Sequence, residues 1–435
     1  MITELRMENW KSYAQSSLYI DPLTVLIGTN ASGKSNALDA FIFLNRIACG
    51  AMLTSALQGD GALPPMRGGI EWAAQRPGKK FALEIISRAD KLTDYEYRID
   101  CRISDTRCEL MAERLLMKKY RSDKDGQRVL EKPGKPASKP RTVRLFVTDP
   151  CPDMAPNITA RLYNEKKGTP KSLGRAHAVL FQLVGQRLRQ EIQDGVNSVI
   201  SSLKDIFYLD PIPSHMRAYS PLADKLDADA RNIAGVIAAL PTAKEIEAVL
   251  TRYAGRLPER DIRRVYAETV GKFNSDAMLY CEENWQPADA PHTVDARGMS
   301  DGTLRFLAIL TALLTRPEKS LLIIEEIDNG LHPSRANMLL EMLQTVGKQR
   351  RIDVLATTHN PALLDAMGTE MIAYITVAHR DSKTGHSILT LLEDMKRLPA
   401  LLAQGTTGHL SSRGLIERSL QRSLDFEGLS EFGNA

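Results

Sequence analysis

Residues 28–35 read Gly28-Thr29-Asn30-Ala31-Ser32-Gly33-Lys34-Ser35, a G-x-x-x-x-G-K-S run. This constrains the chain more than any other stretch. Apolar Leu23 to Ile27 precedes it and reads as a buried strand. Residues 36–44 follow with Ala37, Phe41 and Leu44 at helical spacing. Strand, glycine loop and helix in that order make a phosphate cradle. The glycines let backbone N–H groups turn inward, and the helix start adds the positive end of its dipole. The plain alternative is a glycine-rich turn with an exposed lysine. On the functional reading Gly28, Asn30, Ala31, Ser32, Gly33, Lys34, Ser35 and Asn36 surround the phosphates. Lys34 then supplies charge to the β- and γ-phosphates, and the Ser35 hydroxyl holds Mg²⁺.

The 435 residues suffice for two or three domains' worth of core, with 43% hydrophobic and 25% charged residues. No apolar run reaches the ~20 residues of a membrane span. Charges interrupt the first residues, so no signal peptide is expected. Five cysteines without C-x-x-C spacing argue against a disulfide framework or zinc site, and a cytoplasmic setting is expected. The net charge of +4 does not argue for nucleic acid, but eleven Lys/Arg face three Asp/Glu between Arg114 and Arg144. That segment reads as a solvated basic loop or as a contact for DNA.

Short strands are expected over Ile2–Met7, Ser17–Ile20, Lys80–Ser87, Tyr95–Ile103 and Arg141–Thr148. A Gly/Pro-rich stretch, Gly59 to Gly69, interrupts them. Helices are expected over 175–203, 226–240 and 243–253. From Thr293 the pattern turns α/β, with a helix over 301–315, a strand over 320–327, a helix over 333–346 and a strand over 352–357. A short helix from Pro361 follows, then a hairpin of 371–378 with 386–392.

A phosphate loop needs acidic partners, and Leu321-Leu322-Ile323-Ile324-Glu325-Glu326 provides them at the end of a strand buried on both faces. Glu325 is placed to hold Mg²⁺ and Glu326 to polarise water. Thr358-His359-Asn360-Pro361 ends the next strand, where His359 can reach a γ-phosphate and Asn360 caps the following helix. Ser300-Asp301-Gly302 opens another helix and offers a second anion cradle. One copy has no use for two cradles on one γ-phosphate, so this one suits the nucleotide of another subunit.

Together these elements resemble the ABC-type head ATPases of the SMC, RecF and OLD group, above all the compact bacterial RecF-like ATPases. Asn9-Trp10-Lys11-Ser12-Tyr13 stands for the family's NFKSY, Ser300-Asp301-Gly302-Thr303 for SDGT, Glu325 to Pro333 for DEPENGLHP, and Thr358 to Pro361 for THNP. Glu325 replaces the usual aspartate and Ile327 the usual proline. Gln75 is the nearest candidate for the family's loop glutamine. No heptad run persists, and Ser-Asp-Gly-Thr replaces the S-G-G-Q of transporter subunits.

The resemblance implies an α/β fold of the P-loop, SMC-head type: a strand-rich N-terminal lobe, a parallel α/β core and a helical insertion. The expected segments are 1–110, the first lobe; 111–290, basic loop and mostly helical insertion; 291–398, the second lobe; and 399–435, a tail. It also implies a dimer, or an oligomer of dimers, that sandwiches ATP and Mg²⁺. In it Lys34 and Ser35 of one copy face Ser300, Asp301 and Gly302 of the other. Glu326 is general base, Glu325 a metal ligand and His359 the γ-phosphate sensor. Trp10 or Lys11 is a further candidate for touching the nucleotide, with Trp10 read at least equally as a core residue. OLD-type nucleases add a Toprim domain, for which the 76 residues after His359 are too few. The expected function is therefore an ATPase gating a separate nuclease or toxin chain, or DNA, in antiphage defence. The alternatives are a low-turnover ATP-dependent scaffold, a RecF-like repair clamp and, ranked lowest, a small-molecule phosphotransferase.

Overall fold

The computed structural model describes residues 1–124, 126, 128, 140–153, 155–164, 166–257, 262–283, 292–396 and 398–420. Most of the lysine-rich part of the basic loop and the end of the C-terminal tail lie outside the described residues.

In chain order the strands are β1 Ile2–Trp10, β2 Tyr13–Tyr19, β3 Leu23–Ile27, β4 Lys80–Arg88, β5 Thr93–Ser104, β6 Arg107–Lys119, β7 Arg141–Thr148, β8 Asn157–Leu162 and β9 Thr169–Gly174. They continue as β10 Ile206–Leu209, β11 Ser220–Pro221, β12 Ile262–Val270, β13 Asp276–Glu283, β14 His292–Asp295, β15 Leu321–Ile324, β16 Asp353–Thr357, β17 Ile375–Arg380 and β18 Ser387–Leu391. The chain divides into two compact units. The first takes 1–20, 30–206 and 378–389; the second takes 21–29, 207–377 and 390–435.

The first unit is built on an eight-stranded sheet ordered β2-β1-β4-β5-β6-β7-β8-β9. Its pairings are antiparallel and alternate apolar with polar residues, as a sheet with one wet face must. On the polar face Arg6 bonds Glu4 and Glu84, Arg114 bonds Glu84 and Glu96, and Arg98 bonds Glu8 and Asp100. On the apolar face Trp10 and Phe81 meet Phe43 of the helix Lys34–Ala48, with ring centroids 5.0–5.8 Å apart. This cluster fixes the helix that begins at the glycine loop to β1 and β4.

The second unit holds a six-stranded sheet ordered β10-β15-β16-β3-β17-β18, whose last strands run on into residues of the first unit. β15, β16, β3 and β17 are parallel neighbours. Every residue of β3, β15 and β16 is buried, which explains their unbroken apolar character. A smaller sheet, β11-β13-β12 with β14 on β13, packs with helices Ile233–Ala239 and Ala243–Ala254 into the same core.

Three expectations change. The helix expected over 175–203 is two, Val179–Gln182 and Gln190–Lys204, parted at Gly185 with φ +73°. The helix expected over 226–240 is limited to 233–239, because Ala230 takes φ +57°. The region expected to be mostly helical carries, besides the expected strand β7, the strands β8 and β9, which complete the first sheet, and β11–β13.

Candidate functional site

β3 leads directly into the glycine loop. Gly28 takes φ +143°, Ala31 +61° and Gly33 +114°. A Cβ on Gly33 would lie 2.4 Å from Ser387 Oγ, so this position needs glycine for space as well as conformation. Two side chains hold the loop by its carbonyls. Tyr13 Oη donates to Gly33 O at 3.0 Å, and Arg380 Nε donates to Ala31 O at 2.9 Å. No side chain caps the helix that starts at Lys34. Lys34 is only 8% exposed, which rules out the plain alternative of a solvated lysine on a turn. Asn30 and Ala31 are exposed, and Ser35 is half-buried. Ser32 Oγ is buried and has no hydrogen-bond partner in the protein. Such an orphan costs free energy unless a ligand oxygen meets it.

Trp10 is fully buried and its indole N–H donates to Asn36 O at 2.7 Å. Of the two expected nucleotide contacts, Trp10 is therefore core. Lys11 takes φ +50° and gives its ammonium to Asp39 and, at 2.7 Å, to Arg67 O. Burial pulls the Lys11 pKa below its ordinary value, and Asp39 opposes that pull. Asn36 Nδ2 donates to Ser12 Oγ at 2.8 Å. Lys11, Ser12, Asn36, Trp72 and Gln75 line a cavity of about 410 Å³ in the first unit.

In the second unit the register of three parallel strands gathers the remaining groups. Ile324 pairs with Ala356, and Thr357 pairs with Leu26. Glu325, Thr358 and Gly28 accordingly leave β15, β16 and β3 at one end of the sheet, the carboxyl end where α/β sheets bind ligands. Glu325 is half-buried and accepts a hydrogen bond from Tyr208 Oη at 2.8 Å. Glu326 is exposed and takes φ +49°. That left-handed residue ends the strand at Ile324, short of the expected 327, and is the kind of strain found at functional positions. Its N–H donates to Thr357 Oγ1 at 2.8 Å, and Ile327 N donates to Thr357 O at 3.0 Å. Thr358 Oγ1 donates to Asp328 and accepts from Asn360 N at 3.0 Å. Exposed His359 lies between, and Asn360 Oδ1 caps the helix Pro361–Met367 as expected. The acidic turn and the His359 segment are thus stitched together.

Ser300 is exposed and caps the helix Asp301–Thr315, accepting from Thr303 N at 3.1 Å. Asp301 pairs with Arg217 at 2.8 Å. A Cβ on Gly302 would lie 2.6 Å from Gly330 O, so this glycine already has a packing role within the chain. Sequence reasoning missed Tyr208, Thr357, Asp328 and Arg380 as supports. Their partners lie 30 to 349 residues away, apart from Asp328's neighbours in the acidic motif.

A hydroxyl at Ser35 and a carboxylate at Glu325 are hard oxygen donors of the kind Mg²⁺ takes. Among the described residues no group of three or more His, Cys, Asp or Glu could hold a metal on its own.

Residues 1–104 match the family model described as "AAA ATPase domain". Residues 283–365 match the one described as "AAA domain, putative AbiEii toxin, Type IV TA system". The first span contains the glycine loop, the second Ser300, Glu325, Glu326 and His359. Both spans are similar to ATPase domains of the AAA type. Among solved structures the chain is similar to an Smc head bound to the C-winged helix domain of ScpA, at 15% identity over 89% of this chain and 97% of that one, TM-score 0.45. It is also similar to the SMC head domain from Thermotoga maritima, at 12% identity over 90% and 98%, TM-score 0.39. A third is the Smc head with extended coiled coil, bound to the C-terminal domain of ScpA, from Pyrococcus furiosus, at 12% identity over 92% and 99%, TM-score 0.45. No curated protein matches the chain. Among its described residues no helix is long and apolar enough to cross a membrane.

Proposed function

We propose that the protein binds and hydrolyses ATP between two copies of itself and uses that cycle to gate a partner. The observation that carries this reading is the register that brings Gly28, Glu325–Glu326 and Thr358–His359 to one end of one parallel sheet. Backbone N–H groups of the glycine loop, with Lys34, bind the β- and γ-phosphates. Ser35 and Glu325 would hold Mg²⁺, which would supply neutralisation of phosphate charge. Glu326 orients a water and takes its proton as the water oxygen attacks the γ-phosphorus and the bond to ADP breaks. His359 donates a hydrogen bond to a γ-phosphate oxygen. Ser300, Asp301 and Gly302 of the second copy complete the cradle with their helix start.

The likeness of 283–365 to a family described by a toxin of a toxin–antitoxin system supports a place in bacterial defence. The partner is then a separate toxin or nuclease chain, with the basic segment 114–144 as a DNA contact. The test is release of inorganic phosphate from Mg²⁺-ATP by the full chain. Phosphate release that vanishes on chelation and in Lys34→Ala is expected. Turnover unaffected by Lys34→Ala, or an absence of Mg²⁺-dependent ATP binding by the wild type, would overturn the reading.

A further inference from the structure

The Gly/Pro-rich stretch that interrupts the first lobe ends beside the cavity at Lys11, and nothing in the phosphate chemistry above uses it. Arg67 and Gly68 come from this stretch, and Trp72, Gln75 and Arg76 follow it. Trp72 is 53% exposed, unusual for so large an apolar ring. It is nonetheless held in place: the Arg76 guanidinium lies 3.8 Å from its ring centroid, and a Cβ on Gly68 would lie 2.8 Å from Trp72 Cβ. Gln75 is fixed by its backbone, its N–H donating to Asn9 O at 2.8 Å beside the bridge of Trp10 with Ala74. Its side-chain Nε2 is buried without a hydrogen-bond partner in the protein.

The cavity touches the glycine loop from two sides. Asn36 lines it and directly follows Ser35, and Arg380 lines it while bonding Ala31 O. Its other basic side chains are Lys11, Arg67, Arg76 and His386, and no carboxylate is among the described residues that line it. Asp39 beneath pairs with Lys11 and Arg67 and fixes their heads. The volume of about 410 Å³ is that of a small-ligand pocket.

We infer that this cavity receives the nucleoside end of the triphosphate, with the base stacked against the Trp72–Arg76 pair and its edge met by the Gln75 amide. The inference rests on the proposed ATP site and adds what selects the base. Stacking on an aromatic ring of this kind changes affinity by about tenfold or more.

The test is equilibrium binding of Mg²⁺ complexes of ATP and of inorganic tripolyphosphate to the full chain. Tripolyphosphate reads the phosphate cradle alone and reports that a variant is folded. Wild type should bind ATP about tenfold or more tighter than tripolyphosphate. Trp72→Ala should remove that advantage and leave tripolyphosphate binding unchanged, and Trp72→Phe should restore it. ATP affinity unchanged in Trp72→Ala, with tripolyphosphate still bound, would overturn the base assignment while the phosphate site stands. Binding of neither ligand by wild type would overturn both.

Discussion

Around the glycine loop several polar groups other than the Ser32 hydroxyl are engaged within the protein. Lys11 is held by Asp39 and a carbonyl, Asn36 by Ser12, and the carbonyls of Gly33 and Ala31 by Tyr13 and Arg380. Around the acidic turn, Glu326, His359 and Ser300 are exposed. Order there comes from the segments that carry them: Thr357 receives Glu326 N, Thr358 joins Asp328 to Asn360 N, and Ser300 caps its helix. A cradle must be rigid to spend little binding energy on ordering itself. Groups that act across a pairing surface must instead stay accessible. The contrast is what a site completed by a second copy would require.

The largest expected break is on the exposed side. Glu326→Gln should lower steady-state turnover by about 10²–10⁴-fold, the usual worth of a general base, with ATP binding retained. Equal losses of binding and turnover would show that Glu326 supports the fold of the turn instead. On the cradle side, Lys34→Ala should act on binding, weakening Mg²⁺-ATP by about 100-fold through lost charge-assisted contacts. A calorimetric titration separates the two cases.

A third test concerns how the cradle's unit is held. Glu113 is buried with its carboxylate on Val179 N and Leu180 N at 2.6 and 2.7 Å, and Tyr97 Oη donates to it at 3.0 Å. Burial outweighs these bonds and pushes its pKa up from 4.5 to about 7. Between those values the folded state keeps a proton that the unfolded chain releases. Stability should therefore fall as pH rises from about 4.5 to about 7 and level off above, a change of about 3 kcal/mol at most. Denaturant unfolding at several pH values checks this, and Glu113→Gln should flatten the dependence. The smallest effect belongs to Thr358→Val. Cutting the tie between Asp328 and the His359 segment should cost turnover about fivefold, on the order of 1 kcal/mol, with ATP affinity held.

The sequence was most legible where local physics decides. The unbroken apolar β3, the glycine loop, the helix starting at Asp301 and the Asn360–Pro361 cap all carry their reason within a few residues. It was less legible where one left-handed residue stops an otherwise continuing pattern, as at Ala230 and Glu326. It was silent where the support comes from afar. Arg380 reaches Ala31 across 349 positions and Tyr208 reaches Glu325 across 117, and neither contact has a motif. Trp72 belongs to this class too, since a single tryptophan near a glycine-rich stretch gives no period or spacing to read.

The central claim, that one working site needs two copies, is tested most directly by mixing two inactive proteins. Lys34→Ala damages the cradle and Ser300→Arg the helix start that faces it, so each alone should be inactive. Mixed in equal amounts they should regain roughly a quarter of wild-type turnover, because half the pairs carry one intact site of two. No recovery at any ratio, with both variants folded and able to pair, would contradict it.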